Sequence, residues 1–135
     1  MFERCLYFNL NALARRVNKI WAQAFGDLDL SPAHAYLLRV VLERPGVSQQ
    51  AIATELKLEK STVARFVESL EGRGYLKRDK AGREQLVHPT KAAMEIADDL
   101  QRRGDLLYRR MITNLGKNDM VKLVGDLRTA SRKLV

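Results

Sequence analysis

Apolar side chains recur at helical spacing through most of this chain. Between residues 60 and 70 they fall at i, i+3, i+4 and i+7, which predicts an α-helix with one buried face. The members of this stripe are Val63, Phe66, Val67 and Leu70. The opposite face is small, hydroxylic and basic towards its N-terminal end, where a DNA-reading helix touches bases.

A second, shorter helix is predicted immediately before this one. Ser48 can cap its N-terminus, and its inner face would carry Ile52, Ala53 and Leu56. Leu58 then lies in a tight turn before the next helix. Two helices at this spacing predict a helix-turn-helix, in which the second helix enters a groove of DNA.

A basic β-hairpin is predicted after the second helix. Gly72 and Gly74 end that helix, with Gly74 in the left-handed conformation. Residues 75–78 and 85–88 are predicted strands, and residues 79–83 the turn between them. The segment from 73 to 83 holds one acid, Asp79, and five basic residues: Arg73, Lys77, Arg78, Lys80 and Arg83. A hairpin of this charge beside a recognition helix is typical of a wing that reaches phosphates or the minor groove.

Long amphipathic helices flank this central segment. Residues 2–25 carry a broad apolar stripe and Gly26 ends it, followed by a loop at residues 27–30. Ser31 and Pro32 start a helix that runs to about Glu43, with an N-cap hydroxyl followed by proline at the first helical position. Its predicted core positions are Ala35, Leu38, Val41 and Leu42.

The C-terminal third is predicted to be two further helices. Thr90 starts one that runs unbroken from 91 to 114, and Gly116 separates it from a last helix capped by Asn118 or Asp119. The terminal helices and the first helix need a partner surface for their apolar faces. A dimer core would supply it, and an intramolecular bundle is the alternative. The predicted fold class is therefore mainly α (α+β), a winged helix-turn-helix with long N- and C-terminal helices forming a dimerisation region.

The spacing of these marks resembles that of the MarR family of bacterial transcriptional regulators. The marks are Leu30-Ser31, Leu56-x-Leu58, Ser61-Thr62-Val63-x-Arg65, Leu70-x-x-x-Gly74-x-Leu76-x-Arg78 and Thr90. The resemblance implies one domain over residues 1–135, with a winged-helix lobe at 31–90 and dimerisation helices at 1–30 and 91–135. It also implies a homodimer on a palindromic operator, and frequent control by small ligands or cysteine oxidation.

Two positions depart from the family pattern. The family's wing usually carries Asp-x-Arg, and here Arg83 takes the Arg place while Ala81 stands where the Asp should be. Asp79 is the candidate replacement for the missing partner of Arg83. Pro89 replaces the common Leu before Thr90. We therefore expect an altered wing geometry.

Charge supports an anionic partner without locating the site. The chain has 24 basic and 16 acidic residues, a net charge of +8, and the excess is spread over its whole length. Such a balance most often accompanies nucleic-acid binding. The predicted DNA-binding residues are Ser48, Lys60, Ser61, Thr62, Ala64, Arg65, Arg73, Lys77, Arg78, Lys80 and Arg83.

Three function classes compete on this sequence. A double-stranded-DNA regulator, expected to act as a repressor, is favoured over a winged-helix module that binds protein or RNA. An enzyme is disfavoured, because no nucleophile–base constellation, phosphate loop or metal cluster is visible. The sequence also predicts no cofactor, no metal site, no membrane span and a cytoplasmic location, since the single cysteine fits a reducing compartment.

Five residues are candidates for receiving a signal. Trp21, Phe25, His34 and Tyr36 are conceivable lining residues of the ligand pocket that the family resemblance implies, although each residue type more often serves simple packing. Cys5 lies near the start of the first helix, where some family members sense peroxide. An ordinary reduced thiol is the favoured interpretation of Cys5.

Overall fold

The computed structural model describes all 135 residues as seven α-helices, one short 3₁₀ turn and a three-stranded antiparallel sheet. The helices are α1 (Leu6–Phe25), α2 (Pro32–Glu43), α3 (Gln49–Leu56), α4 (Lys60–Gly72), α5 (Lys91–Glu95), α6 (Ala97–Leu115) and α7 (Lys117–Lys133). The strands are β1 (Val47–Ser48), β2 (Leu76–Ala81) and β3 (Glu84–Pro89), in the order β1-β3-β2. The predicted mainly α fold with a winged helix-turn-helix is confirmed.

The chain divides into two compact units, and the boundary falls inside α6. The first unit is Met1–Gln101 and contains the helix-turn-helix and the whole sheet. The second unit is Arg102–Val135 and consists of the rest of α6 with α7. Its buried apolar side chains are Leu107 and Met120.

Hydroxyl caps begin three of the helices where the sequence predicts them. Ser31, Ser48 and Thr90 each accept a hydrogen bond from the backbone N–H three residues later, at 3.1, 3.1 and 3.3 Å. A cap of this kind satisfies an N–H group that the first helical turn leaves unpaired, and it contributes about 1 kcal/mol. The starts of α2, α3 and α5 are therefore encoded locally.

The core of the first unit is built from the predicted apolar stripes. Val63, Val67 and Leu70 of α4 are fully buried, whereas Phe66 is only partly covered. On α2 the buried set includes Leu37, and the predicted Leu42 is only partly buried. Helix α2 contacts α1, α3, α4, α5 and β3, so it is covered on more sides than a single-stripe pattern assumes.

The first helix begins at Leu6, later than the predicted residue 2. Residues 2–5 form a turn in which the Cys5 backbone N–H bonds to the Phe2 carbonyl at 3.0 Å. The Asn9 side-chain amide secures this turn by donating to the carbonyls of Phe2, Glu3 and Cys5. At the other end, a 3₁₀ turn at Gly26–Leu28 replaces part of the predicted loop.

The predicted unbroken helix from 91 to 114 is wrong at one position. Ile96 has φ −101° and ψ 3°, and its N–H bonds to the Ala93 carbonyl three residues back, which separates α5 from α6. The predicted cap at Asn118 or Asp119 is also wrong. Gly116 adopts φ 86°, so the chain turns directly from α6 into α7 and leaves no loop in which a side chain could cap.

The hairpin is longer and its turn tighter than predicted. Residues 79–81 lie in β2 and not in the turn, and Ala81 pairs with Glu84, which leaves only Gly82 and Arg83 between the strands. Gly82 adopts φ 62°, the positive φ that a two-residue hairpin turn requires. The two-residue strand β1 was not predicted, because it is too short to show an alternating pattern.

Candidate nucleic-acid interface

The N-terminal half of α4 presents a continuous polar face to solvent. Lys60, Ser61 and Arg65 are exposed, and Thr62 and Ala64 are partly exposed between them. The Arg65 guanidinium donates to Thr62 Oγ1 at 3.3 Å. This face combines a cation, hydroxyl groups and a small side chain that permits close approach, which are the groups used to contact phosphates and base edges.

The first turn of α4 is open to an anion. Glu59 is the residue before the helix, and its side chain makes no capping hydrogen bond. The first N–H groups of an α-helix have no partner within the helix, and the helix dipole makes this end favourable for negative charge. A phosphate placed at Lys60 and Ser61 would therefore meet both side chains and backbone donors.

A left-handed residue joins α3 to α4. Lys57 adopts φ 55° and its N–H bonds to the Thr54 carbonyl at 3.4 Å, while the Leu58 N–H bonds to the Ala53 carbonyl at 3.0 Å. These two bonds close α3 and turn the chain sharply. The turn places α4 at its angle to α3 over only three residues, 57–59.

A groove of about 230 Å³ brings the wing tip beside the start of the helix-turn-helix. It is lined by Ser48, Gln49, Gln50, Lys60, Arg83, Glu84 and Gln85. Pairing of Ser48 with Leu86 in the sheet is what places these segments together. Three predicted DNA-binding residues, Ser48, Lys60 and Arg83, thus share one groove. The four other residues were missed, because only the pairing of β1 with β3 would have revealed them.

Arg83, Lys60 and the Gln49 amide oxygen in this groove lack partners within the protein. Arg83 is exposed and makes no hydrogen bond or ion pair. Gln49 Oε1 is buried without a hydrogen-bond partner. The Ser48 hydroxyl, in contrast, is occupied as the cap of α3. The groove therefore has one guanidinium available for an anion at the tip of the wing.

Arg73, a predicted DNA-binding residue, makes several contacts within the protein. Its guanidinium donates to the backbone carbonyl of Asp29 at 2.6 Å and to that of Leu28 at 3.5 Å. The same group lies 3.8 Å from the Asp29 carboxylate and 5.6 Å from the centre of the Tyr75 ring. These contacts connect the C-terminal end of α4 to residues 26–31, the link between α1 and α2.

Arg78 is likewise engaged in a pair within the protein. Its Nε and a terminal nitrogen donate to Glu71 Oε1 at 3.2 and 2.8 Å, and its backbone N–H donates to Oε2 at 3.3 Å. The hydrogen bonds from Arg78 lower the pKa of the Glu71 carboxyl and raise that of the Arg78 guanidinium. Arg78 therefore ties the last turn of α4 to the first strand of the wing, and its contact with DNA stays a prediction.

Asp79 does not take the role of a partner for Arg83. It lies on β2 opposite Leu86, and its carboxylate is 3.5 Å from His88 Nε2. The basic side chains of Lys77 and Lys80 are exposed on the same strand. The wing therefore presents Lys77, Lys80 and Arg83 to solvent without an acid that orients Arg83.

Comparison with known proteins agrees with this geometry. The MarR family model matches residues 28–84, the segment from the end of the 3₁₀ turn to the first residue of β3. This segment of the chain is therefore similar to the MarR family of transcriptional regulators. It is 29% identical over 100 residues to the HTH-type transcriptional regulator YybA of Bacillus subtilis (strain 168). That match covers 71% of this chain and 66% of the relative, so the chain spans slightly less than two thirds of that protein.

Two solved structures of DNA-binding proteins share the fold over nearly the whole chain. The first is BpsR of Bordetella bronchiseptica, whose DNA binding is regulated by 6-hydroxynicotinic acid. It has a TM-score of 0.87 at 19% identity, with 97% of this chain and 96% of that chain covered. The second is the MepR–DNA complex of S. aureus, with a TM-score of 0.86 at 15% identity and coverage of 98% and 100%. At these identities the likeness establishes the fold.

Two of the four predicted ligand-lining residues lie in one cleft. The Trp21 indole N–H donates to the Tyr36 hydroxyl at 2.9 Å. Around this pair, Pro32, Ala33, Leu56 and Leu58 complete an apolar cleft of about 200 Å³. A neighbouring cleft of about 450 Å³ shares two of these residues and is lined by Tyr36, Arg39, Val40, Glu43, Arg44, Glu55 and Leu56.

The other two predicted lining residues have different surroundings. Phe25 is fully buried and packs edge-on against the Tyr36 ring at 6.4 Å, so it belongs to the core. His34 packs edge-on against Phe66 of α4, with ring centres 4.6 Å apart, and is not in the cleft. Burial and then the nearby positive charge of Arg73 lower the pKa of the His34 imidazole.

Cys5, the predicted redox candidate, serves as the N-cap of α1. Its Sγ accepts a hydrogen bond from the Phe8 backbone N–H at 3.4 Å, and the residue is partly exposed.

The described chain contains no group of three or more His, Cys, Asp or Glu residues placed to hold a metal ion. None of its helices combines the length and the apolar character needed to cross a bilayer.

Proposed function

We propose that this protein is a MarR-type, sequence-specific regulator that binds double-stranded DNA. The observation that carries the proposal is the exposed N-terminal face of α4 beside the wing-tip groove. Lys60 belongs to both surfaces, Arg65 supplies a guanidinium group on the helix face, and Arg83 supplies one in the groove. In a winged helix this places the helix for the major groove and the hairpin for the backbone or minor groove.

The proposed working form is a homodimer on an inverted-repeat operator. Apolar side chains that need cover are exposed on α1, on α6 and on α7, and a monomer rarely leaves so many uncovered. They are Leu6, Tyr7, Phe8, Leu10, Leu13, Leu106, Tyr108, Leu115, Val121, Val124 and Leu127. A two-fold dimer would present two copies of α4 about one DNA turn apart, so the half-sites would lie about 10–10.5 base pairs centre to centre.

We further propose that the protein acts as a repressor released by a small molecule. The apolar cleft at Trp21 and Tyr36 lies between α1, α2 and the helix-turn-helix, so an occupant would contact the elements that hold α4. A ligand can shift DNA binding only by the difference between its affinities for the two states. A partly exposed Cys5 allows oxidation as the alternative signal, and the experiment below includes it.

Selection of bound fragments from a genomic duplex library tests the proposal. The purified protein is incubated with the library at several salt concentrations, with and without peroxide, and recovered fragments are sequenced. We expect an inverted repeat to be enriched, with affinity falling steeply with salt because Lys and Arg displace counterions from phosphates. Recovery of unrelated sequences, or stronger retention of single-stranded RNA competitor than of duplex DNA, would contradict the proposal.

Light scattering on the eluting protein tests the dimer in the same preparation. A mass of twice 15.4 kDa is expected. A monomeric mass at micromolar concentration would contradict the homodimer. The selected sequences would then still decide whether α4 reads DNA. Peroxide that leaves the selected set unchanged would exclude Cys5 as the signal receiver.

A further inference from the structure

The contacts of Arg73 link two distant parts of the first unit. Arg73 is the residue that follows α4, and its guanidinium reaches 44 positions back in sequence to the Asp29 carbonyl at 2.6 Å. A second bond reaches the Leu28 carbonyl at 3.5 Å. We call this set of contacts the Arg73 clasp. It joins the C-terminal end of α4 to the link between α1 and α2.

The link that receives the clasp is itself fixed to the core. Phe25 before it and Leu30 after it are buried, with exposed fractions of 0% and 3%. Asp29 adopts φ 53°, and its N–H bonds to the Gly26 carbonyl at 3.0 Å. The two carbonyls that accept from Arg73 are therefore held in place, and the clasp has a rigid anchor.

A second contact braces α4 on the same side. The His34 ring of α2 packs edge-on against Phe66 in the middle of α4, with ring centres 4.6 Å apart. The N-terminal end of α4, in contrast, lacks a side-chain cap. The orientation of the exposed Lys60–Arg65 segment therefore depends on the buried stripe of α4, the Arg78–Glu71 pair, the clasp, the His34–Phe66 contact and the turn from α3.

Small changes at the clasp are magnified along the helix. Thirteen residues form α4, and a helix of that size is about 20 Å long, so a tilt of about 3° at one end moves the other end by about 1 Å. Contacts that discriminate bases must be held to within about 0.5 Å to remain productive. Contacts to phosphates carry no base sequence and tolerate such a shift better.

We propose that Arg73 is a positioning residue that sets the orientation of α4 for base reading, and that it is not a phosphate contact. The inference rests on the proposed function, because orientation matters here only if α4 reads DNA. The Asp29 carboxylate contributes little, since it is 3.8 Å away and its side chain is fully exposed. The backbone carbonyls are the partners that matter.

Substitution of Arg73 by Gln tests the positioning role of Arg73. Binding is measured on two duplexes, the selected operator and a random sequence. With both proteins fully folded at the assay temperature, Arg73→Gln should weaken operator binding about tenfold and random-duplex binding less than twofold. The slope of affinity against salt should stay unchanged, whereas loss of a phosphate contact lowers it by about 1. Arg73→Lys should recover part of the operator affinity, because an ammonium can still donate to the Asp29 carbonyl.

Two control variants accompany this experiment. Arg15→Gln removes an exposed arginine from α1 and should leave the ratio of the two affinities unchanged. Asp29→Asn removes the weak ion pair but keeps the carbonyl, and should change operator binding less than twofold. Equal losses on both duplexes for Arg73→Gln with a reduced salt slope would overturn the proposal and restore Arg73 as a phosphate contact. Unchanged binding to both would overturn it as well.

An NMR comparison without DNA separates this proposal from the proposed function. Amide chemical shifts of Arg73→Gln should change along α4 as far as Lys60–Arg65, and those of Arg15→Gln should not. Shift changes confined to the neighbours of residue 73 would overturn the positioning role. A wild-type protein that shows no preference for any duplex would contradict the proposed function. The NMR comparison would still test whether the Arg73 clasp orients α4.

Discussion

The Arg65 guanidinium donates a hydrogen bond to Thr62 Oγ1 at 3.3 Å, across one turn of the exposed face of α4. Thr62 is β-branched, so its side chain has few rotamers in a helix. The bond therefore restricts the orientation of the Arg65 guanidinium in the DNA-free protein. A guanidinium oriented in advance loses less entropy when it forms two parallel bonds to a guanine.

Thr62→Val should expose this orienting effect. Valine keeps the branched shape but cannot accept from Arg65, and one neutral hydrogen bond contributes about 1 kcal/mol. We therefore expect operator affinity to fall roughly two- to fivefold and random-duplex affinity to stay within error, measured by fluorescence anisotropy. Ser61→Ala on the same exposed turn is the matched control for lost hydroxyl contacts. Parallel losses on both duplexes for Thr62→Val would assign Thr62 to a phosphate.

Arg83→Ala should weaken binding to every duplex. Arg83 is exposed at the wing tip without an internal partner, so its charge is available to phosphates or the minor groove. Anisotropy titrations across salt should show losses of similar size on operator and random DNA and a salt slope lower by about 1. Glu84→Gln at the neighbouring position is a control of opposite sign, because removing an acid from the groove should strengthen binding. An unchanged salt slope for Arg83→Ala would exclude its contact with the backbone.

Local signals in the sequence were enough for most helices and for the existence of the hairpin, but long-range contacts decided the roles of single residues. The stripe Val63, Val67 and Leu70 and the cap Ser48 follow from spacing within one turn, and the structure confirms them. Arg73 and Arg83 belong to the same basic cluster, yet only Arg73 meets the carbonyls of a distant link. No periodicity encodes a partner 44 positions away.

The same limit applies to the aromatic residues of the cleft. Trp21 and Phe25 lie one turn apart on α1 and look equivalent in the sequence. Trp21 lines the cleft with Tyr36, whereas Phe25 is fully buried. The angle at which α2 crosses α1 separates the two, and that angle is a property of packing. Similarly, the wing-tip groove depends on the pairing of β1 with β3, and β1, with two residues, is too short to be predicted from the sequence.

Stability should fall in mildly acidic solution because of His34. Burial and the charge of Arg73 lower the pKa of this imidazole in the folded protein, so the unfolded chain binds a proton more readily. The contribution of neutral His34 is present above the ordinary histidine pKa of about 6.5, and it is lost as pH falls through that value towards the lowered one. The Glu71 pKa is also lowered, but that loss occurs at more acidic pH.

Urea unfolding at pH 7.5 and 5.5 measures this effect. The wild-type midpoint should be lower at pH 5.5, and His34→Gln should reduce the difference between the two pH values. His88→Gln removes the other histidine, on β3, and should not reproduce that reduction. An equal pH difference in wild type and His34→Gln would rule out His34 as its source.

Lys57→Gly should stabilise the protein. Lys57 adopts φ 55° between α3 and α4, a conformation that costs a residue with a Cβ about 1 kcal/mol more than glycine. Part of that gain is offset by the greater freedom of glycine in the unfolded chain, so we expect roughly 0.5–1 kcal/mol in urea unfolding. Lys57→Ala removes the same charge but keeps the strained φ and should show no gain. A destabilised glycine variant would mean that the Lys57 side chain supports the turn by other contacts.

Anisotropy titration of wild type and Arg65→Ala on the selected operator and on a random duplex tests the reading role of α4 most directly. A lost arginine–guanine pair corresponds to about 1–3 kcal/mol of discrimination, roughly a 5- to 150-fold loss on the operator, and the loss on random DNA should be several times smaller. Equal losses of affinity on the two duplexes would contradict base recognition by α4.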